Sequence, residues 1–303
     1  MSITDRAFTN SDREYNLIKA LLSEVEADPD LDDNWDAGRM DWWRYNVHAE
    51  KTVDFFRANA HYWMTDTDRI VGLFISEYGG DDFFIVVHPR FSALLPDVLN
   101  WGLEVWGRGK TRISTSVFTY DQQKVEQLLA AGFREDGHES NVRTYALPGY
   151  DFSYDLMTGC RIMTFQEYGD YDSRVKLVRE AFGNQSYSEA RLRSLQSSPG
   201  YQAELDLVAV NHQDESVAYC MGWIEENHPR SAYIEPMGTR TDYRRKGLGK
   251  ALAKECFRRL YDMGVARVSI ASAAEPDISN LLYESLGPVS TKRGYRYALI
   301  LRE

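Results

Sequence analysis

Hydrophobic and polar positions in the second half of the chain alternate between strand-like and helix-like patterns. Leu248, Leu252, Cys256 and Leu260 recur every four residues with charges between them, which predicts a long amphipathic helix. Short apolar runs bounded by turn residues predict strands. The predicted strands are RIMTF (161–165), ELDLVAV (204–210), SVAYCMGWIEE (216–226), SAYIEPMGT (231–239), RVSIASA (267–273) and RGYRYALIL (293–301). The other predicted helices are YDSRVKLVREAFG (171–183), SEARLRSLQSS (188–198) and ISNLLYESLG (278–287).

The first half repeats this order of elements. Ser11 and Glu14 have capping-box spacing at the start of its first helix. The predicted strands are DRAFT (5–9), HYWMTD (61–66), RIVGLFISEY (69–78), DDFFIVVHP (81–89), RISTSVF (112–118) and NVRTYAL (141–147), and the predicted helices are 11–27, 92–106 and 123–133. The Pro148-Gly149 pair interrupts the pattern, so we predict domains at 1–148 and 149–303. Each should be an α/β (mixed α+β) unit, a mostly antiparallel sheet flanked by helices with one crossover helix.

Composition narrows the function classes. A formal net charge of −11 argues against non-specific nucleic-acid binding, which needs a basic face, and fits cationic or neutral substrates. The three cysteines have no metal-ligand spacing and the six histidines are isolated, so we expect no metal site. No apolar segment reaches about 18 residues and the N-terminus has no signal-like core, so we expect a cytoplasmic protein without a membrane anchor.

Positive charge is concentrated at one glycine-rich turn before the long helix. The cations are Arg240, Arg244, Arg245, Lys246 and Lys250. The first N–H groups of a helix lack intrahelical partners and carry partial positive charge, so they bind anions, and glycine allows a ligand to approach the backbone. The alternative is a solvated basic first turn without a ligand, but cations there oppose the helix dipole. The pattern therefore favours a site for a pyrophosphate or a phosphorylated nucleotide.

The turn sequence Arg244-Arg245-Lys246-Gly247-Leu248-Gly249 resembles the R/Q-x-x-G-x-G/A signature of the GCN5-related N-acetyltransferase (GNAT) superfamily. The later stretch ISNLLYESLG resembles the second signature of the family, although Pro288 and Pro276 replace its usual Phe and Asn. The resemblance is strong over about residues 150–303 and covers the first half in outline. It implies two tandem GNAT-like domains, as in mycothiol synthase-like acetyltransferases, with acetyl-CoA as cosubstrate.

The resemblance also implies roles for individual residues. The residues expected at the cofactor are Met237, Gly238, Thr239, Arg244, Arg245, Lys246, Gly247, Leu248, Gly249, Lys250 and Asn280. Residues 237–239 would form a splayed strand end that binds the pantetheine and the thioester carbonyl. Tyr283 would protonate the departing thiolate or donate a hydrogen bond to it, or else it is a core residue.

Glu235 is the second predicted catalytic residue. Period-two alternation places Glu235 and Met237 on the same face of the predicted strand 231–239. A carboxylate there could orient an ammonium group and accept its proton. The alternative is a structural, salt-bridged glutamate at a strand end.

The corresponding turn of the first half, VVHPRFSALLPDVLNW (86–101), contains no glycine. Phe91, Leu94 and Leu95 stand where a diphosphate would need bare backbone, so we predict a degenerate domain that has lost the cofactor. Six of the seven tryptophans lie in this half, as core or domain-interface residues or as an aromatic wall for substrate that includes DAGRMDWWRYN (36–46).

Two functions from different classes remain at this point. The first is an acetyl-CoA-dependent N-acetyltransferase that acts directly on an amine of a small molecule or peptide. The second is a non-catalytic acyl-CoA-binding or sensing module whose first domain docks a partner. The sequence leaves the acceptor, the acyl-chain preference and the oligomeric state open.

Overall fold

The computed structural model describes residues 2–26, 35–47, 51–225, 228–275 and 277–301. The chain forms two compact units, the first from Met1–Arg44, Glu50–Ser140 and Lys292–Glu303, the second from Tyr45–Ala49 and Asn141–Thr291. The domain limits 1–148 and 149–303 stay a prediction about the two sequence halves. Residues 141–148, the end of the predicted first domain, belong to the second compact unit. Residues 292–303, the end of the predicted second domain, belong to the first compact unit.

The first unit is a mixed sheet with helices. Its strands are β1 (Ile3–Ala7), β2 (Ala60–Thr65), β3 (Ile70–Ile75), β4 (Asp82–Val87), β5 (Arg112–Phe118) and the first part of β6 (Arg134–Ala146). Its helices are α1 (Asp12–Glu26), α2 (Ala37–Trp42), α3 (Val53–Asn59), α4 (Leu95–Trp101) and α5 (Gln122–Ala130). The strand order is β1-β2-β3-β4-β5 followed by the C-terminal strand, β12 (Ser290–Ile300). Only β4 and β5 are parallel among the described pairs of this unit, with α4 between them in the chain.

The second unit repeats this plan. Its strands are the last part of β6, then β7 (Arg161–Thr164), β8 (Asp206–Val210), β9 (Ser216–Glu225), β10 (His228–Thr239) and β11 (Arg267–Ala273). Its helices are α6 (Phe165–Tyr168), α7 (Tyr171–Phe182), α8 (Glu189–Gln196), α9 (Leu248–Asp262) and α10 (Asp277–Glu284). The strand order is β6-β11-β10-β9-β8-β7, and β10 and β11 are parallel with α9 as the crossover helix.

The core of the second unit lies where α9 covers the sheet. Leu248, Leu252, Cys256 and Leu260 are each at most 1% exposed and pack with residues of β8 to β11. The four-residue recurrence read from the sequence is therefore the buried face of this helix. Burial of this face fixes where α9 begins, and so positions the glycine turn.

Aromatic side chains fill the core of the first unit. Trp35 and Trp43 are at most 1% exposed and pack edge to face. Trp63 and Trp106 are also buried, while Trp42 and Trp101 are half-buried. The core interpretation is confirmed for the four buried tryptophans, which contribute packing rather than an open aromatic wall.

The predicted fold class, a mixed and mostly antiparallel α/β plan in two units, is confirmed. The Ser11–Glu14 capping box forms, with Glu14 N bonded to Ser11 Oγ at 3.3 Å and Ser11 N to a Glu14 carboxylate oxygen at 3.2 Å. The predicted helix 92–106 is instead a 3-10 turn (Pro89–Leu94), α4 and a π-helical turn (Gly102–Trp106). The predicted element ends at Ala27 and Glu226 lie outside the described residues, as does Pro276.

A buried ion pair joins α7 to β8 in the second unit. Arg174 Nη2 lies 3.1 Å from Asp206 Oδ1, and both side chains are at most 1% exposed. The hydroxyl of Tyr201 donates to the other carboxylate oxygen of Asp206 at 3.1 Å. Burial raises the pKa of Asp206, whereas the charge of Arg174 lowers it.

We expect Arg174→Met to lower the free energy of unfolding by about 3–5 kcal/mol at neutral pH, because it leaves a buried carboxylate without its counter-charge. Without Arg174 the pKa of Asp206 rises further, so the folded state takes up a proton. The variant should therefore be more stable near pH 5 than near pH 7, as measured by urea unfolding at both values. The control is Arg13→Met at the exposed Arg13–Asp68 pair, where we expect a loss under about 1 kcal/mol. Equal losses in the two variants would contradict this account.

Candidate active site

The glycine-rich turn connects the end of β10 to the start of α9. Gly247 precedes the first helical residue with φ +82°, and Arg245 also has a positive φ, +58°. No side chain caps α9 and no acidic residue lies in its first turn. Among the described residues, no acceptor is bonded to the backbone N–H groups of residues 245–250. The turn therefore presents a row of N–H donors at the positive end of a helix dipole.

The five cations of this turn divide into two groups. Arg240 is ion-paired to Glu180 at 3.0 Å and to Glu215 at 3.2 Å. Arg244 donates to the backbone carbonyls of Thr239 at 3.3 Å and Ala181 at 3.2 Å. These two arginines brace the turn from within the protein. Their side chains are engaged before any ligand arrives.

The remaining cations are directed away from such contacts. Arg245 and Lys246 are exposed, and Lys250 is half-exposed. Lys246 lies over the ring of Tyr243 at 5.0 Å. For Arg245 and Lys250, the described part of the chain contains no ion-pair partner. These three side chains can therefore supply charge to an anion at the N–H groups.

The glycines of the site serve different purposes. A Cβ on Gly247 would meet no atom closer than 4.0 Å, so this position is open. A Cβ on Gly249 would lie 3.0 Å from Leu282 of α10. A Cβ on Gly238 would lie 2.8 Å from the Tyr219 ring and 3.0 Å from the Phe182 ring. Gly238 and Gly249 thus allow close packing, whereas Gly247 leaves space in front of the helix.

The end of β10 leaves its neighbour β11. The parallel pairing of β10 with β11 ends at Tyr233 and Ser269, whereas its pairing with β9 continues to Thr239. A register shift between Ile234 and Met237 marks a bulge. Along residues 234–239 the backbone edge that faces away from β9 has no described strand partner. The structure thus places the predicted residues Met237, Gly238 and Thr239 at a splayed strand end beside the turn.

The charge of Glu235, on this strand end, acts on the phenol of Tyr283. Glu235 is exposed, and its backbone carbonyl accepts a hydrogen bond of 2.5 Å from Trp223 Nε1. Tyr283 is 8% exposed and belongs to the core of the second unit. Burial raises the pKa of Tyr283 to about 12, and the negative charge of Glu235 acts in the same direction. The phenol is therefore a neutral hydrogen-bond donor at physiological pH.

Asn280, the remaining predicted cofactor residue, has a fully engaged side chain. Its Oδ1 accepts from Ser272 at 2.8 Å and from Arg143 at 2.9 Å. Its Nδ2 donates to the carbonyls of Ala273 at 3.1 Å and Ala274 at 2.8 Å. The structure thus shows Asn280 joining the end of β11 to α10, and a contact with the cofactor stays a prediction.

Sequence reasoning missed the residues that hold α10 from the neighbouring strand. In the last part of β6, the buried positions 141, 143 and 145 carry Asn, Arg and Tyr. Arg143 Nε donates to Glu284 at 2.6 Å, and the Tyr145 hydroxyl donates to the carbonyl of Tyr283 at 2.9 Å. The sequence did contain a signal for these residues, namely the polar side chains at alternate positions of the predicted strand 141–147.

The corresponding turn in the first unit is closed by side chains. His88 caps the 3-10 turn with Nδ1 accepting from Arg90 N at 3.1 Å. Leu94 and Leu95 are buried in the core, and Phe91 packs against it. This turn therefore lacks the open backbone found around Gly247.

Among the residues that the structure describes, no group of three or more His, Cys, Asp or Glu side chains is arranged to hold a metal ion. None of the described helices has the length and apolar character that a membrane span needs.

A known protein family matches the part of the chain that contains this site. A family model described as "Acetyltransferase (GNAT) family" matches residues 173–287, which include β10, the glycine turn, α9 and α10. The second unit contains a GNAT acetyltransferase domain. The predicted family and the predicted enzyme class, an N-acetyltransferase, are thereby confirmed. No match was found among curated proteins.

Solved GNAT structures have the same fold over nearly the whole chain. A GCN5-related N-acetyltransferase from Sphaerobacter thermophilus is 20% identical with a TM-score of 0.66, covering 99% of this chain and 96% of that one. A tandem GNAT protein from the clavulanic acid biosynthesis pathway is 14% identical with a TM-score of 0.65, covering 99% and 98%. A GNAT acetyltransferase from Colwellia psychrerythraea is 9% identical with a TM-score of 0.64, covering 98% and 99%. At these identities the likeness extends to the fold alone.

Proposed function

We propose that this GNAT protein transfers the acetyl group of acetyl-CoA directly to an amine of a small molecule or peptide. The observation that carries this proposal is the uncapped N-terminus of α9, whose N–H groups lie behind the open position of Gly247. A diphosphate supplies the acceptors that these donors lack. Arg245, Lys246 and Lys250 add charge-assisted hydrogen bonds.

The splayed end of β10 suits the other end of acetyl-CoA. Its unpaired backbone edge at Met237, Gly238 and Thr239 can bind the amide groups of the pantetheine arm and the thioester carbonyl. In acyl transfer the carbonyl oxygen gains negative charge, and a donor already in place stabilises it. The glycine turn follows the strand end directly in the chain, so a single extended ligand can contact both.

Glu235 and Tyr283 divide the proton transfers. Glu235, exposed at the strand end, accepts the proton of the attacking amine, directly or through water. The amine nitrogen then forms a bond to the carbonyl carbon, and the carbon–sulfur bond breaks. Tyr283 donates its phenolic proton, or a hydrogen bond, to the departing thiolate. Because its pKa is about 12, Tyr283 keeps that proton until the carbon–sulfur bond breaks.

The proposal includes one cofactor site per chain. The turn before α4 in the first unit is closed, because the buried Leu94 and Leu95 occupy the corresponding helix start. We therefore infer that the first unit keeps the GNAT-like fold without binding acetyl-CoA.

The test is calorimetric titration of the whole chain with acetyl-CoA, followed by thiol release with a panel of amines. The panel contains a polyamine, an aminosugar, an aminoglycoside, an amino acid and a lysine peptide. We expect one site per chain and sustained thiol release with at least one amine. Binding without turnover on any acceptor would favour the acyl-CoA-sensing alternative, and absence of binding would refute both.

A further inference from the structure

Helix α10, which carries Tyr283, packs on the core of the second unit through Leu282 and Tyr283. Ile278 is 50% exposed and Leu281 is 70% exposed, so its outer face contributes little packing. Tyr283 is the buried residue of its last turn, with Leu286 just beyond the helix. A helix this short is held by its surroundings, here by this packing together with the polar contacts to its neighbours.

Those contacts come largely from the last part of β6. Arg143 is the central one, because its side chain is only 4% exposed and reaches both the middle and the C-terminal end of the helix. It donates to Asn280 Oδ1 at 2.9 Å and to the Glu284 carboxylate at 2.6 Å. A third bond, of 2.9 Å, joins it to Ser272 of β11. Arg143 thus fixes α10 on both sides of Tyr283.

Tyr145 fixes the catalytic position itself. Its hydroxyl donates to the backbone carbonyl of Tyr283 at 2.9 Å, and its side chain is fully buried. Burial raises the pKa of Tyr145 far above its usual value, so this hydroxyl remains a donor throughout the working pH range. The bond holds the main chain from which the Tyr283 phenol extends.

We propose that Arg143 and Tyr145 are positioning residues for the acetyl-transfer step, holding α10 so that the Tyr283 hydroxyl lies at the departing sulfur. The inference rests on the proposed function, since it assigns a purpose to the position of Tyr283. Both residues belong to the first half of the sequence, 1–148, yet they lie in the second unit. The first half therefore contributes to the chemistry even though its own turn is closed.

The test is a set of double-mutant cycles in the whole chain, with acetyl-CoA and the best amine of the panel. We expect Arg143→Met to lower kcat by about 10- to 100-fold, as a misplacement of about 1 Å does, and Tyr145→Phe by about 3- to 10-fold. In a Tyr283→Phe background both losses should nearly vanish, because the group they position is gone. The affinity for acetyl-CoA, measured by calorimetry, should change by less than about threefold.

Controls separate positioning from general damage. Tyr62→Phe removes a tyrosine hydrogen bond of 3.1 Å to Glu14 in the first unit, and Arg296→Met removes an arginine–glutamate pair there; both should leave kcat unchanged. If Arg143→Met does not fold, Arg143→Lys and Tyr145→Phe provide the same cycle. Losses of equal size in the wild-type and Tyr283→Phe backgrounds would overturn positioning while leaving the proposed function intact. A Tyr283→Phe variant with unchanged kcat would instead overturn the proposed role of Tyr283, and this inference with it.

Discussion

Gly247→Glu is expected to weaken acetyl-CoA binding by about 5- to 30-fold. A non-glycine residue at φ +82° costs about 1–2 kcal/mol of folding free energy, which lowers stability and does not enter the binding equilibrium. A carboxylate at the start of α9 would repel the diphosphate that the helix dipole attracts, at a cost of about 1–2 kcal/mol of binding free energy. This second cost gives the stated range, because each 1.4 kcal/mol is a factor of about ten in affinity. Calorimetric titration of both proteins measures it directly.

The chain offers a matched control at Gly109. Gly109 has φ +80° and a Cβ there would meet no atom within 4 Å, so Gly109→Glu imposes the same backbone cost in the first unit. It should lower the melting temperature as much as Gly247→Glu and leave acetyl-CoA binding unchanged. Gly247→Asn, which tolerates a positive φ without the charge, should bind with intermediate affinity. Wild-type affinity in Gly247→Glu would place the cofactor elsewhere.

Local patterns explain why much of the second unit was predictable. The recurrence Leu248–Leu252–Cys256–Leu260 marked one buried face, and the glycines before it marked where the helix starts. Both signals lie within about twenty residues and need no knowledge of the rest of the chain. The glycine turn was therefore identified at the correct element boundary.

Features that depend on distant partners were not predictable in this way. Arg240 and Arg245 look alike in the turn, yet Arg240 faces Glu180, which lies 60 residues away. Arg143 holds α10 across 137 and 141 residues of sequence. Whether a cation meets a carboxylate or solvent is decided by the packing of the sheet, which no local spacing records.

The start of β6 shows a different reason for a miss. The strand begins at Arg134, seven residues before the predicted Asn141, and its first five residues are exposed. The stretch REDGHES is polar throughout, so it lacks the alternation that identifies a half-buried strand. Hydrogen bonds within the sheet, rather than burial, hold this part of β6.

Glu235→Gln and Tyr283→Phe are expected to have the largest effects on turnover. General acid–base catalysis contributes about 10²- to 10⁴-fold, so each variant should lower kcat by about that factor with the preferred amine. The affinity for acetyl-CoA should hold in both, because neither side chain belongs to the glycine turn. Glu235→Gln should also raise the KM for the amine if the carboxylate binds the ammonium form. Unchanged turnover in both variants would show that the assigned roles are wrong even if the activity is right.

The pH dependence of kcat tests the role of Tyr283 independently. A tyrosine with its ordinary pKa of about 10 would lose its proton near that pH, and kcat would fall as the acid disappeared. Burial and the charge of Glu235 place the pKa of Tyr283 at about 12 instead. We therefore expect kcat at saturating substrates to show no descending limb up to about pH 10. A limb near pH 10 in the wild type that is absent from Tyr283→Phe would mean that the phenol is not shielded as the structure describes. A wild-type profile flat to pH 10, with the kcat of Tyr283→Phe low throughout, would instead match a neutral donor that keeps its proton until the thiolate leaves.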